Sequence, residues 1–225
     1  MGTRSRIRDE FRLCRRPWIV VSRCLTGERC RYNGKAVSGA AVRRLARAAG
    51  LLPVCPELEI GLGVPRAPIR IISIGTAKPA REGVSANPSR NGALRLVQSG
   101  SGRDVTARMR SFADSFLSSL GPVAGFILKS GSPSCGLCGI KVYSPTGRFR
   151  PNVTTRGLFA GAVREKFPDL PVIDEKSLAS RKSRADFLRR IRTHARPRRA
   201  VRFRQRKTMR AGRIKGVTSH PRSGL

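Results

Sequence analysis

The stretch that decides the fold is PWIVVSRCL, residues 17–25. Its apolar, mostly β-branched run shows no alternation with polar residues, the pattern of a short strand covered on both faces. The run breaks at Ser22, so the strand delivers Cys24 to the loop at its carboxyl end. ERCRYNGKAVSG (28–39) reads as that loop, with Asn33-Gly34 as a turn signal. In SGAAVRRLARAAG (38–50), Val42, Leu45, Ala46 and Ala49 form one helical stripe, and Gly50 is a natural stop. LLPVCPELEIGLGVPR (51–66) then supplies a second strand ending at Cys55. Strand, loop, helix, strand is a βαβ unit, and it argues for a parallel sheet.

The same alternation continues along the chain. GRDVTARMRSFADSFLSSLG (102–121) places Val105, Met109, Phe112, Phe116 and Leu120 on one helical face, with Gly121 to end it. VAGFILKSGSPSCG (123–136) is a third strand running into a third cysteine loop. IKVYS (140–144), a turn at 145–147, a helix near Thr155 to Phe167 and a short strand in LPVID (170–174) complete the pattern. The expected fold is therefore α/β: a single domain over 17–191 with a mainly parallel, Rossmann-like sheet flanked by helices. Residues 1–16 read as a basic leader, and 73–92, rich in Gly, Ser, Pro and Asn, as an exposed insertion. Residues 192–225 read as an Arg-rich tail without a core-forming pattern.

The chain carries 47 Lys and Arg against 13 Asp and Glu, a formal net charge of +34. Such charge concerns association and not fold. The tail has the composition of a non-specific nucleic-acid arm, but Phe203 stands alone there, so base stacking has no support. No secretory signal is visible, and no apolar run approaches the roughly 18 residues of a membrane span. A cytoplasmic chain with reduced thiols is the expectation.

Three expected strands end in cysteine, at Cys24, Cys55 and Cys135, and in a parallel sheet such ends meet at one rim, where ligands collect. Three thiolates fall short of a closed structural zinc site, which takes four ligands, although Cys30 or Cys138 offers a fourth. They also suit an iron–sulfur cluster with one iron left open. Cys135 and Cys138 form a CxxC, yet glycines flank the pair and IKVYS follows as strand, whereas a redox CxxC opens a helix. Simple burial of packing thiols is the remaining reading.

VSRCLTGERCRYNG (21–34), VCPELEIGLGVPR (54–66), GRDVT (102–106), GFILKSGSPSCG (125–136) and GLFAGAVREKFPDLPVIDE (157–175) follow one another in an order that resembles the thiouracil desulfidase-like family. That family was once labelled only a domain of unknown function. The resemblance covers about residues 17–190, and the helical second domain of longer members is replaced here by the Arg-rich tail. It implies a 4Fe–4S cluster held by Cys24, Cys55 and Cys135. The fourth iron would be a Lewis acid that takes sulfur from a thiolated heterocycle such as 2-thiouracil, while water completes the carbonyl. It further implies Glu57 as acid/base and Ser132 as the substrate-contacting or proton-relaying serine, with Ser134 as fallback. Lys129, Arg31 and Asn33 are candidates for the polar pocket wall. Cys30 reads as structural, and Cys138 has no counterpart in the motif. Arg23 stands where the family has a small residue, and a guanidinium there would crowd the cluster or alter its charge. PIRI (68–71) and ALRLV (93–97) look like two versions of a single strand of the family, separated by the insertion.

Overall fold

The structure, a computed structural model, describes residues 16–37, 39–74 and 94–195. Nearly all of the expected leader, insertion and tail lies outside those residues. So does Cys14.

Strand β1 (Trp18–Ser22) lies between β2 (Gly50–Val54) and β5 (Gly125–Leu128), with β8 (Val172–Asp174) beyond β5, and every pairing is parallel. The absence of alternation in IVV has its cause here. Val20 faces one core while Ile19 and Val21 face another, and all three are fully buried. The second core is closed by Val42 and Leu45 of α1 (Ala40–Leu45), Leu178 of α5 (Glu175–Ala179), and Phe187 and Ile191 of α6 (Arg181–Ala195). The α1–β2 junction requires glycine at position 50: a Cβ there would lie 2.7 Å from the Trp18 ring.

On the other face, Val20, Phe126 and Leu128 pack with α3 (Thr106–Ser119) and α4 (Leu158–Lys166). Val105 and Met109, from the expected apolar stripe, are fully buried, and the rings of Phe112 and Phe116 stack near Phe159 of α4. Each fully buried side chain of this size contributes about 1.5–3 kcal/mol of transfer free energy.

A second four-stranded sheet, ordered β4-β3-β6-β7, packs into that core. It comprises β3 (Ile69–Ser73), β4 (Leu94–Gln98), β6 (Ile140–Tyr143) and β7 (Phe149–Thr155). The segments PIRI and ALRLV are thus not two versions of one strand. They form an antiparallel pair, Ile71 opposite Leu96, and their alternating burial shows one face on the core. Strand β7 escaped the sequence reading because Pro151 and flanking arginines mask it; as the edge strand it tolerates proline. For the same reason the helix expected from Thr155 begins at Leu158, Thr155 being the last residue of β7. No helix among the described residues is long and apolar enough to cross a membrane.

Candidate active site

The carboxyl ends of β1, β2 and β5, adjacent in one sheet, open onto a single cavity of ≈ 320 Å³. After β1 the chain makes a 3-10 turn (Arg23–Thr26), closed by a Thr26 hydroxyl bond to the Arg23 carbonyl, and Cys24 sits on that turn. After β2, Cys55 caps the short α2 (Pro56–Glu59), where Pro56 at the first helical position suits the abrupt start. After β5, residues 129–136 loop back over the rim and carry Cys135. The buried Ser22 hydroxyl accepts the Lys129 N–H at 3.0 Å, which ties the first strand end to the third.

Cys24, Cys55 and Cys135 all line the cavity, and so does Cys30. Cys30, expected to be structural, is buried in the apolar core between β1 and α1 and also borders the cavity, and its carbonyl accepts the Cys55 thiol at 3.9 Å. The neighbouring Cys24 thiol, with burial, pushes the Cys30 thiol up to about 11 against the opposing effect of Cys55. The neighbouring Cys30, and then burial, raises the Cys55 thiol as well. Burial pushes Cys135 up to about 12, partly offset by a hydrogen bond with Ser22. All five described cysteines are free thiols, and Cys138 is exposed and away from the cavity.

Beside the thiols runs a chain of oxygens. Ser134 donates to Glu57 Oε1 at 2.8 Å, which commits its one proton. The 2.9 Å contact between Ser132 and Ser134 must therefore have Ser132 as donor. The Ser132 oxygen is itself fixed by the backbone N–H groups of Ser134 and Cys135, at 3.3 and 3.2 Å. Both serines matter to the geometry, and Ser134 is the one that touches Glu57.

Glu57 is also gripped from behind. Its Oε2 pairs with Arg66 at 2.8 Å, the Arg66 side chain being only 3% exposed, and Arg66 also donates to the carbonyls of Cys30 (3.1 Å) and Gly63 (2.7 Å). Arg66 went unassigned in the sequence reading, though it ends the VPR element. A second carboxylate went unnoticed too. Glu175, first residue of α5, accepts Lys129 Nζ at 2.5 Å and the Ser130 N–H at 2.7 Å. Burial alone would raise the Glu175 carboxyl, but the Lys129 ammonium and the Ser130 hydrogen bonds outweigh it and hold it below its ordinary value.

Of the other candidates, Lys129 and Arg31 line the cavity while Asn33 does not; its side chain accepts the Lys35 N–H in a local turn. Arg23 lines the cavity, but its guanidinium is drawn to Glu59 at 3.2 Å and Glu28 at 3.8 Å, and this relieves the expected crowding.

Helix α4 holds the cysteine loop from outside. The N–H groups of Gly157, Leu158 and Ala160 donate to the carbonyls of Gly136, Pro133 and Ser134 at 2.8, 3.1 and 3.1 Å. A first-turn helix N–H has no partner within its own helix, and here the loop supplies one.

The chain has recognisable relatives among known proteins. Residues 19–175 match the family model described as 2-thiouracil desulfurase. The uncharacterized protein YbbK of Bacillus subtilis (strain 168) is 36% identical over 120 residues, 52% of this chain and 72% of that protein. Among solved structures, the [4Fe-4S]-dependent thiouracil desulfidase TudS is similar at 28% identity and a TM-score of 0.48, over 73% of this chain and 94% of its own. With a family match spanning more than half its length and running from the first strand to the start of α5, the chain belongs to the 2-thiouracil desulfurase family of enzymes.

Proposed function

We propose that this protein converts the thiocarbonyl of a thiolated heterocycle such as 2-thiouracil to a carbonyl, releasing sulfide, with a 4Fe–4S cluster held by Cys24, Cys55 and Cys135. The observation that carries this reading is the convergence of thiols from three neighbouring strand ends on one cavity beside the Ser132–Ser134–Glu57 chain, in a member of the desulfurase family.

The residues fit the group. Among the described residues no three His, Cys, Asp or Glu side chains stand close enough to hold a single metal ion. A cluster is a larger body whose ligands stand farther apart, and its irons prefer the thiolates this cavity offers. Burial keeps bulk water from the thiols, and the cluster's charge would have to displace their protons. When bound, it supplies a thiophilic Lewis acid at an iron open to substrate.

The protein's own part is to orient water and move protons. Replacing sulfur by oxygen consumes one water and yields sulfide, so two protons must leave the water as the new carbonyl forms. Ser132, held by two backbone N–H groups, presents its oxygen at the cavity; a proton taken there passes through Ser134 to Glu57 Oε1. Arg66 keeps Glu57 in place by binding its other oxygen. Lys129, anchored by Glu175, and Tyr143 complete the polar wall against which a flat heterocycle would lie.

Iron and acid-labile sulfide per chain after anaerobic reconstitution, with thiouracil turnover on the same sample, test the proposal. A brown, turnover-competent protein is expected, and Cys24→Ala, Cys55→Ala and Cys135→Ala should each abolish the colour. A colourless protein binding one zinc would overturn the proposal.

A further inference from the structure

Four parallel strands end at this rim, and three of them lead into the cysteines; the fourth, β8, leads into Glu175. Leu128, the last residue of β5, lies opposite Asp174, the last of β8, so Lys129 and Glu175 leave adjacent strands side by side. Asp174 caps α5 by accepting the Ser177 N–H at 2.7 Å, which fixes Glu175 at the first helical position. From there Glu175 grips the cysteine loop with both oxygens. Oε2 accepts the Ser130 N–H at 2.7 Å, while Oε1 accepts the Ser130 hydroxyl at 2.6 Å and Lys129 Nζ at 2.5 Å. Glu175 itself does not line the cavity.

The loop has a shape and a place, and different bonds set the two. Its shape is internal: Ser132 accepts the Ser134 and Cys135 N–H groups on its hydroxyl and the Gly136 N–H on its carbonyl. None of these bonds reaches another element, so none decides where Ser132 and Cys135 stand over the rim. External bonds decide that. Helix α4 holds the Pro133–Gly136 end, and Ser22 and Glu175 hold the Lys129–Ser130 end. Between the two ends the chain turns at Gly131, φ +68°, so the orientation of Ser130 sets the direction in which Ser132 leaves the turn.

We infer that Glu175 is a positioning residue for the reaction: acting through Ser130, it sets the place of Ser132 and Cys135 over the cavity, and so the start of the Ser132–Ser134–Glu57 proton path. The catalytic half of this inference rests on the desulfidase reading above; the placement of the loop does not. A carboxylate suits the task because it accepts with two oxygens and balances the Lys129 ammonium. Glutamine offers one acceptor and no charge, and leucine offers neither.

The test compares full-length wild type, Glu175→Gln and Glu175→Leu, each reconstituted anaerobically, by two readouts. Hydrogen–deuterium exchange over residues 129–136 reads the anchorage of the loop without turnover. It should be about 10-fold faster in Glu175→Leu and intermediate in Glu175→Gln, with β1 unchanged. Thiouracil turnover per cluster should fall by about 100-fold in kcat for Glu175→Leu, the scale of a displacement of about 1 Å, and by less for Glu175→Gln. The solvent deuterium isotope effect on kcat should rise in step, because a displaced Ser132 slows the passage of protons. An ion pair of structural value alone would lower the melting temperature and leave kcat per cluster and the isotope effect at wild-type values; that result would overturn the inference. Unchanged exchange over 129–136 in Glu175→Leu would overturn it as well, whatever the turnover. A wild type that turns over no thiouracil would sink the desulfidase reading, while exchange still decides whether Glu175 places the loop, so the two failures are distinguishable. The nearly isosteric Glu175→Gln keeps the experiment decisive should Glu175→Leu fail to fold.

Discussion

Gly157 is where a single methyl group should separate folding from catalysis. Its backbone, φ −64° and ψ 151°, is open to any residue, so alanine brings no conformational strain. The obstacle is contact. A Cβ at position 157 would stand 2.4 Å from the Ser134 carbonyl oxygen, 2.5 Å from its carbon and 2.9 Å from the Cys135 nitrogen, whereas ordinary contacts begin at 3.4 Å. All three are backbone atoms and cannot swing aside, so the cysteine loop must retreat from α4 by about 1 Å, a displacement able to cost about 100-fold in rate. That retreat pulls Ser134 from Glu57 and shifts Cys135 in the cavity. Gly157→Ala should therefore lower kcat/KM by about 100-fold, about 2.7 kcal/mol, and overpacking should cost about 1–3 kcal/mol of stability. The assay is thiouracil turnover by anaerobically reconstituted protein, with iron content and a thermal melt on the same preparation. Wild-type kcat/KM in a folded G157A would refute the claim that loop position controls the reaction.

Glu57→Gln should reduce kcat by about 10²–10⁴-fold at unchanged iron content if the carboxylate is the proton acceptor, and Ser134→Ala should lower it as well; undiminished turnover removes the pair from the mechanism. Arg66→Met leaves the half-enclosed Glu57 without its partner and should cost about 3–5 kcal/mol in denaturant unfolding, part of which Arg66→Met/Glu57→Gln recovers; additive losses would count against the pairing. For Glu175 the folded carboxyl lies below its ordinary value, so its contribution is present above the ordinary carboxylate range and is lost as pH falls through the folded value. The melting temperature of wild type should drop through that acid window more steeply than that of Glu175→Gln. Parallel curves would exclude Glu175 as a source of acid sensitivity.

Much of the architecture was legible because one signal was strong. The IVV run lacks alternation, a strand with two covered faces produces that pattern, and β1 is such a strand. The second sheet was far less legible. The residues of β3 and β4 read as strand, but their antiparallel pairing depends on where the chain returns after residue 74, and local sequence carries no record of that. Strand β7 hid behind Pro151 because only its edge position makes the proline harmless.

The same division holds at the site. The chain order alone determined that three strands end in cysteine and that a carboxylate follows one of them by two residues. Parallel pairing then allowed those ends to meet. Only the tertiary structure decided that Cys30 lines the same cavity as the other thiols, that Ser134 and not Ser132 touches Glu57, and that Arg66 and Glu175 brace the walls. Each of these is a contact between residues from different loops. A sequence records the chemistry each loop brings, but distances and directions across the rim are set by how the strands pack, and a hydrogen bond exists only where both are satisfied.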